Sequence, residues 1–159
     1  MSAKNKRSGH LKTHAFRLKP HQDLKKEVQA WAKKKQIRAG CIITGVGSLE
    51  RIHLRFAHQN DGTKRKGPFE IVSFVGTFSN TYAHLHLSVA DSSGRTFGGH
   101  LFDDNLVFTT AEIIVAELPG TVFKREKDET YGYQELVIKP YPKKTRTKAH
   151  ERTLASTQR

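Results

Sequence analysis

The chain has 159 residues, enough for one domain with a substantial buried core, and it carries a net charge of +13. Its single cysteine, Cys41, excludes an intramolecular disulfide and favours a reducing compartment; we expect it to be a buried small apolar residue and not a reactive thiol. No apolar run approaches the roughly 20 residues that span a bilayer, and no apolar stretch follows the basic N-terminus, so a soluble cytoplasmic protein is expected.

The positive charge is concentrated at the two ends. Residues 1–13 hold four basic residues and no acidic one, and residues 139–159 hold seven basic residues and one acidic one. Ten of the thirteen net charges therefore lie outside residues 14–138, the predicted folded domain. We expect both tails to be disordered and to contact phosphates without sequence preference, or else to confer only solubility. The candidate nucleic-acid contacts are Lys4, Lys6, Arg7, Lys12, Lys143, Lys144, Arg146 and Lys148.

The first predicted elements are a strand at 14–18 and a helix. The helix is predicted to begin after Asp23, a residue type that favours the N-cap position, and to end near Gln36. Its apolar side chains fall on one stripe, which indicates packing against the core, and lysines cover the rest of its surface.

The apolar run CIITGV, at the start of residues 41–57, predicts a strand that is covered on both faces. Gly45 and Gly47 are expected to interrupt it, and Ser48 to begin a second stretch. Because a strand and not a helix follows, GVGS is interpreted as a turn and not as a phosphate-binding loop. Residues 58–68 are rich in cations and turn residues and are predicted to form a surface loop.

The rest of the chain is predicted to be mainly strand. Segments rich in β-branched and alternating apolar residues are separated by turn residues, which indicates antiparallel strands. The predicted strands are 69–79, 83–91, 95–102, 109–118 and 133–138. One helix among about seven strands indicates an α+β fold with a mostly antiparallel sheet.

Three histidines form the most informative pattern in the chain. His84 and His86 are two residues apart on one predicted strand, so their side chains share a face. A turn near Gly94 folds the next strand back, and counting outward from this turn places His100 beside the pair. Three imidazoles on adjacent strands can bind a divalent ion, zinc in the first instance, with one position left for water or a ligand.

Several residues in and around this pattern are open to more than one interpretation. Gly98 and Gly99 would allow a close approach of the backbone, but the histidines could instead make ordinary hydrogen bonds on a sheet face. Arg55, Glu70 and Glu112 are charged residues within apolar strands, and they either point to solvent or are paired. The sequence contains no P-loop, no nucleophile elbow and no C-x-x-C, so it assigns no catalytic residue.

Five segments in a fixed order carry a family resemblance: FRLKPHQDL, CIITGVGSLERIHLRF, GPFEIVSFVGTF, HLHLSVADSSGRTFGGHL and TTAEIIV. Together they resemble the PPC (plant and prokaryote conserved) domain over about residues 15–118. The resemblance implies an α+β fold that assembles as a homotrimer, with sheets packed across the subunit boundaries.

The same resemblance bears on partners. In plants, the PPC domain follows AT-hook motifs that bind the DNA minor groove, and it mediates assembly with itself and with other nuclear proteins. The segment that matches the plant contact motif is 67–72, where Pro68 replaces the usual arginine. The chain has no Arg-Gly-Arg-Pro core, so it resembles the free-standing prokaryotic form.

The domain also resembles, more distantly, acetolactate decarboxylase, whose zinc is held by three histidines that include an H-x-H pair. By that resemblance, His84, His86 and His100 are the metal ligands, and Arg55 and Glu70 are candidates for contacts around the metal.

The leading hypothesis is therefore a trimeric, non-enzymatic protein that associates with DNA through its basic tails and carries a metal site, which would place it at the nucleoid. A metal-dependent enzyme or small-molecule sensor, in which Arg55 binds a carboxylate, is the alternative. A scaffold for protein partners is the third.

Overall fold

Residues 10–141 are described by the structure, a computed structural model, and they form eight strands and one helix. The elements in chain order are β1 (Lys12–Leu18), α1 (Leu24–Lys34), β2 (Gly40–Arg55), β3 (Thr63–Phe78), β4 (Ala83–Ala90), β5 (Thr96–Leu101), β6 (Leu106–Glu117), β7 (Thr121–Lys127) and β8 (Gln134–Pro140). The predicted α+β class with a mostly antiparallel sheet is confirmed. No helix in this part of the chain is long and apolar enough to cross a bilayer.

Six strands form one antiparallel sheet in the order β1-β6-β2-β3-β4-β5, and β7 pairs with β8 in a separate hairpin. The sheet curls, because β5 also pairs with the end of β2 at Leu54–Leu101 and Arg55–His100. This second pairing brings β5 against both β4 and β2 and fixes its position from two sides.

Helix α1 covers one face of the sheet. Its buried stripe consists of Leu24, Val28 and Ala32, as predicted from their spacing, and Trp31 stacks on Phe16 of β1 with ring centroids 5.0 Å apart. The apolar side chains of every sheet strand on this face complete a single core. Burial of this continuous apolar surface is the main stabilising contribution to the fold.

The predicted N-cap of α1 is confirmed. The Asp23 carboxylate accepts hydrogen bonds from the amides of Lys25 and Lys26, both at 3.0 Å, so two of the four free amides at the helix start are satisfied. Its second oxygen accepts the amide of Asp104 at 2.5 Å, which ties the helix start to the segment before β6.

The predicted interruption after CIITGV is wrong, because β2 is one strand of 16 residues. Gly47 has a φ of 136°, and a Cβ there would lie 2.0 Å from the carbonyl oxygen of Thr110. The glycine therefore permits an irregular register beside β6 without ending the strand. The prediction that both faces are covered is also wrong for the single chain, since Ile43 and Val46 are about half exposed.

Two strand boundaries and one unpredicted strand differ from the sequence-based expectations. β3 begins at Thr63, so the cationic half of the predicted loop is strand and pairs with the end of β2. β1 begins at Lys12, which was expected in the disordered tail; its ammonium lies 3.8 Å from a carboxylate oxygen of Glu117. β7 was not predicted, because four of its seven residues are charged and it lacks apolar alternation.

The remaining tail candidates, Lys4, Lys6, Arg7, Lys143, Lys144, Arg146 and Lys148, lie outside the described residues.

The sheet leaves apolar side chains exposed on the face that α1 does not cover, which we call the outer face. These side chains are 40–57% exposed in the single chain. They are Ile43, Val46, Val72, Val75, Phe108 and Ile114. Large apolar side chains grouped on one sheet face are typical of a surface that packs against another protein.

Candidate metal centre

The alternation of β4 places two histidines on the outer face. Leu85 and Leu87 are buried in the core, with 0% and 2% of their surface exposed, so His84 and His86 point to the other side. The apolar face of this strand therefore fixes the direction of both imidazoles.

A tight turn sets the register of β4 with β5. The Asp91 carboxylate accepts hydrogen bonds from the amide and the hydroxyl of Ser93, at 2.9 and 2.6 Å, and from the amide of Arg95 at 3.1 Å. The Ser93 hydroxyl contributes most to holding the pKa of Asp91 at about 2. Gly94 supplies the positive φ of 80° that the turn requires. In the resulting register, His100 is the direct partner of His86.

The three histidines converge as the sequence predicted. The ring centroids are 5.2 Å apart for His84 and His86, 5.0 Å for His84 and His100, and 5.5 Å for His86 and His100. One ring nitrogen from each lies within 4.8 Å of the others. Among residues 10–141, no other three histidine, cysteine or acidic side chains are grouped in this way.

Two observations show that the cluster fits a metal ion. The Nε2 atoms of His84 and His86 are 3.3 Å apart, which equals the edge of a tetrahedron whose metal–nitrogen bonds are about 2.0–2.1 Å long. The same distance also fits a hydrogen bond between two neutral imidazoles. However, Nδ1 of His100 is buried without a hydrogen-bond partner, an arrangement that is costly unless a further ligand is bound nearby.

Burial keeps the cluster in the form that binds metal. Desolvation, followed by the charge of a protonated His84 and then of Arg55, lowers the pKa of His100 to about 4. Desolvation also lowers the pKa of His84, and the Arg125 guanidinium is the next largest cause. Both rings are therefore neutral at pH 7, as metal ligands must be.

Two glycines allow the strands around His100 to approach closely, as predicted. A Cβ on Gly99 would lie 2.5 Å from the carbonyl oxygen of Arg55 on β2, and a Cβ on Gly98 would lie 2.6 Å from that of Leu87 on β4. Any larger residue would push β5 away from one of its two neighbours.

Of the two residues that were candidates for contacts around the metal, Arg55 lies beside His100, whereas Glu70 is remote from the histidines. Arg55 is the register partner of His100, and its Nη1 donates to the Gln59 carbonyl at 3.2 Å. Glu70 is exposed and pairs with Ser48 and Ala90, five residues along β3 from the partner of His86. That separation is about 16–17 Å along a strand. No ion pair among residues 10–141 joins Arg55 to Glu70.

Arg125 is a residue near the cluster that sequence reasoning missed. It lies on β7, and its side chain is 12% exposed. Its guanidinium lies 4.4 Å from the centre of the Tyr82 ring. The charged sequence around Arg125 gave no signal for a strand, so only the fold places this residue close to His84.

Residues 5–119 match the family described as the Plants and Prokaryotes Conserved (PCC) domain. The chain is also 42% identical over 132 residues to the Bifunctional protein GlmU of a Synechococcus strain, a match that covers 83% of this chain and 21% of that protein. The chain therefore spans about a fifth of the length of the curated relatives it matches.

Solved structures share the fold. A hypothetical protein from Salmonella enterica is 37% identical with a TM-score of 0.82, over 85% of this chain and 97% of that one. A metal-containing protein from Archaeoglobus fulgidus is 26% identical with a TM-score of 0.67, over 86% and 99%. A Bacteroides thetaiotaomicron protein described as "a putative dna binding protein" is 26% identical with a TM-score of 0.70, over 83% and 94%.

Proposed function

The chain belongs to the Plants and Prokaryotes Conserved domain family, and from this premise we propose that it is a trimeric, DNA-associated protein with a metal ion held by three histidines. The observation that carries the metal part is the convergence of three imidazoles, one of which has a buried ring nitrogen without a hydrogen-bond partner. The DNA part rests on the positive charge of the chain ends. The trimer part rests on the exposed apolar side chains of the outer face.

His84, His86 and His100 would hold the ion, and zinc suits a set of three imidazoles with one open position. The similarity to the metal-containing Archaeoglobus fulgidus protein supports this proposal. A bound divalent ion would supply Lewis acidity, which polarises a carbonyl group or activates water. The chain's own contribution is to orient the three rings, through the β4–β5 register and the buried leucines behind it.

The metal proposal is tested by elemental analysis of protein purified without added metal. We expect close to one divalent ion per chain, and a loss of most of it in His86→Ala. His21→Asn is the matched control, since His21 is exposed, outside the cluster, and has a positive φ that asparagine tolerates. A wild-type content below about 0.3 ion per chain, or equal contents in both variants, would refute the proposal.

The trimer proposal rests on the outer face. The face holds Ile43, Val46 and Ile114 on neighbouring strands β2 and β6, each at least 40% exposed in the single chain. Sheets packed across subunit boundaries would bury them, with a gain of about 25 cal/mol per Å² of apolar surface.

Light scattering coupled to size exclusion tests the assembly. We expect a mass three times the 18.0 kDa of one chain for the wild type, and a lower mass for Val46→Lys. Lys66→Ala, a change at another exposed β-strand position outside the apolar group, should leave the mass unchanged. A monomeric wild-type protein would overturn the proposal.

The DNA proposal rests on ten of the thirteen net charges lying in residues 1–13 and 139–159. The similarity to the Bacteroides thetaiotaomicron protein described as DNA-binding supports it. Contacts to phosphates release counterions, so affinity for duplex DNA should fall steeply with salt and depend little on sequence.

Full-length charge variants test the role of the ends. Seven residues are replaced by glutamine: Lys4, Lys6, Arg7, Lys143, Lys144, Arg146 and Lys148. We expect weaker binding of duplex DNA. The slope of log K against log salt concentration should also become less negative, by about 0.9 for each phosphate that the variant no longer neutralises. A three-charge variant at Lys143, Lys144 and Arg146 is compared with one at the helix lysines 33–35, and equal losses from both would contradict a specific role for the ends.

A metal-dependent enzyme or sensor is the second candidate function. The observation that favours it is a cavity of about 360 Å³ between the end of β3 and the β7–β8 hairpin, since this volume is within the usual range of pockets for small molecules. Turnover or binding of a small molecule that is lost in His86→Ala would select this function over a purely DNA-associated role.

A further inference from the structure

The cavity lies between the sheet and the β7–β8 hairpin. Its apolar lining residues are Phe78, Phe123 and Leu136, and its polar lining residues are Thr77, Ser79, Thr81, Tyr82, Lys124 and Arg125. The hairpin is held in place by hydrogen bonds to the rest of the chain, for example from the Phe123 amide to the Arg38 carbonyl at 2.9 Å. The cavity is therefore built by two parts of the fold, with mostly apolar walls.

One cation in this cavity is incompletely compensated. The Arg125 side chain is 12% exposed, and its nearest carboxylate oxygen, on the largely exposed Glu135, is 3.9 Å away. Nη1 donates to the Gln134 carbonyl at 3.3 Å, and the guanidinium lies over the Tyr82 ring. A guanidinium has five N–H donors, and a buried charge with so few partners is costly. A carboxylate in the cavity would satisfy the remaining donors.

The cavity adjoins the histidine cluster. Thr77, which lines it, is the register partner of His84 across the β3–β4 pairing. The Arg125 charge is also the first charge that acts on the pKa of His84, which agrees with their proximity. A molecule anchored at Arg125 can therefore extend toward the proposed metal.

We propose that this cavity binds a small organic carboxylate, with its carboxylate on Arg125, its apolar body against Phe123 and Leu136, and its far end toward the histidine cluster. Only the expected position of the far end, next to the histidine cluster, depends on the proposed metal site. A carboxylate fits better than a dianionic phosphate, because Arg125 is the one buried cation of the cavity and Glu135 already offsets part of its charge. The second cation that lines the cavity, Lys124, is exposed to solvent.

The probe is benzoate, followed in the full-length protein by amide chemical shifts and by calorimetry, with benzamide as the neutral analogue and inorganic phosphate as the alternative anion. We expect benzoate to shift the amides of Thr77, Tyr82 and Arg125 and to bind at least ten-fold more tightly than benzamide. Tighter binding of phosphate than of benzoate, or shifts confined to residues outside the cavity, would overturn the proposal.

Variants separate the anchor from the walls. Arg125→Gln should weaken the binding of benzoate at least ten-fold. Arg38→Gln is the matched control and should leave benzoate binding unchanged, because Arg38 also lies over a tyrosine ring, 3.7 Å from the centre of the Tyr141 ring, but does not line the cavity. If Arg125→Gln fails to fold, Leu136→Trp is the alternative variant, since it fills the cavity and leaves Arg125 in place. It should weaken the binding of benzoate by a similar factor. Unchanged affinity in a folded variant of either kind contradicts the proposal.

Metal content is measured on the same samples. Arg125→Gln should keep its metal, and His86→Ala should lose metal yet still bind benzoate, more weakly than the wild type. A wild-type protein that binds benzoate but contains no metal would refute the metal centre and leave the carboxylate site standing. Metal without benzoate binding would refute the carboxylate site alone.

Discussion

His86 and His100 are direct partners across the β4–β5 pairing, with ring centroids 5.5 Å apart. Their meeting depends on the turn between the strands, because a shift of the register by one residue would turn His100 to the opposite face. The hydrogen bonds of the Asp91 carboxylate to Ser93 and Arg95 hold this turn. The proposed metal site therefore depends on the Asp91 carboxylate, although Asp91 is not one of the proposed ligands.

Substitution of Asp91 tests this dependence. Asp91→Ala removes the acceptor for four hydrogen bonds, from the amide and hydroxyl of Ser93 and from the amide and Nε of Arg95. We therefore expect a lower melting temperature and weaker zinc binding, measured by thermal unfolding and by competition with a chelator. Asp91→Asn keeps an acceptor oxygen for the Ser93 and Arg95 amides and should retain most of both properties. Equal effects of the two substitutions would show that the turn does not depend on these bonds.

Gly99→Ala should separate β5 from β2. The new methyl group would lie 2.5 Å from the Arg55 carbonyl oxygen, a backbone atom that cannot move without disturbing β2. We expect a loss of about 1–3 kcal/mol in the free energy of unfolding, measured in urea, together with weaker metal binding. Gly94→Asn is the control, since nothing lies within 4 Å of its Cβ position and asparagine tolerates its positive φ. Full stability of Gly99→Ala would contradict the close packing.

The metal-free protein should lose stability as the pH falls from about 6.5 toward 4. The pKa of His100 is lowered to about 4 in the fold, against about 6.5 in an unfolded chain. Between these values the unfolded chain binds a proton at His100 that the folded chain does not, so acid favours unfolding. The ring protons of His100, followed by NMR after metal removal, should titrate near pH 4. A midpoint near 6.5 would be inconsistent with the burial of the ring.

Asp23 should contribute to stability through both of its carboxylate oxygens. Asp23→Ala removes the cap of α1 and the bond to the Asp104 amide, and we expect a cost of about 2 kcal/mol in urea unfolding. Asp23→Asn keeps the acceptor that caps the helix and should cost less than half as much. Metal content should be unchanged in both, since α1 contributes no ligand to the cluster.

The sequence alone determined the features that follow from local periodicity. Alternation predicted β4 with two histidines on one face, the 3.6-residue stripe predicted α1, and Asp23 marked the start of this helix. The turn residues at 92–94 were enough to predict His100 close to the His84–His86 pair, because the register of a hairpin is set by its turn, and in the structure His100 is the partner of His86. These features depend on residues that are close together in the chain.

The tertiary structure decided what depends on distant pairing. The glycines of β2 were expected to interrupt the strand, but close packing against β6 makes them part of one continuous strand. The charged strand β7 has no pattern of its own and exists through its pairing with β8, and this pairing carries Arg125 to the neighbourhood of His84. Local spacing thus predicted the histidine cluster, whereas the cavity beside it could not be predicted, because its walls meet only when segments far apart in sequence pack together.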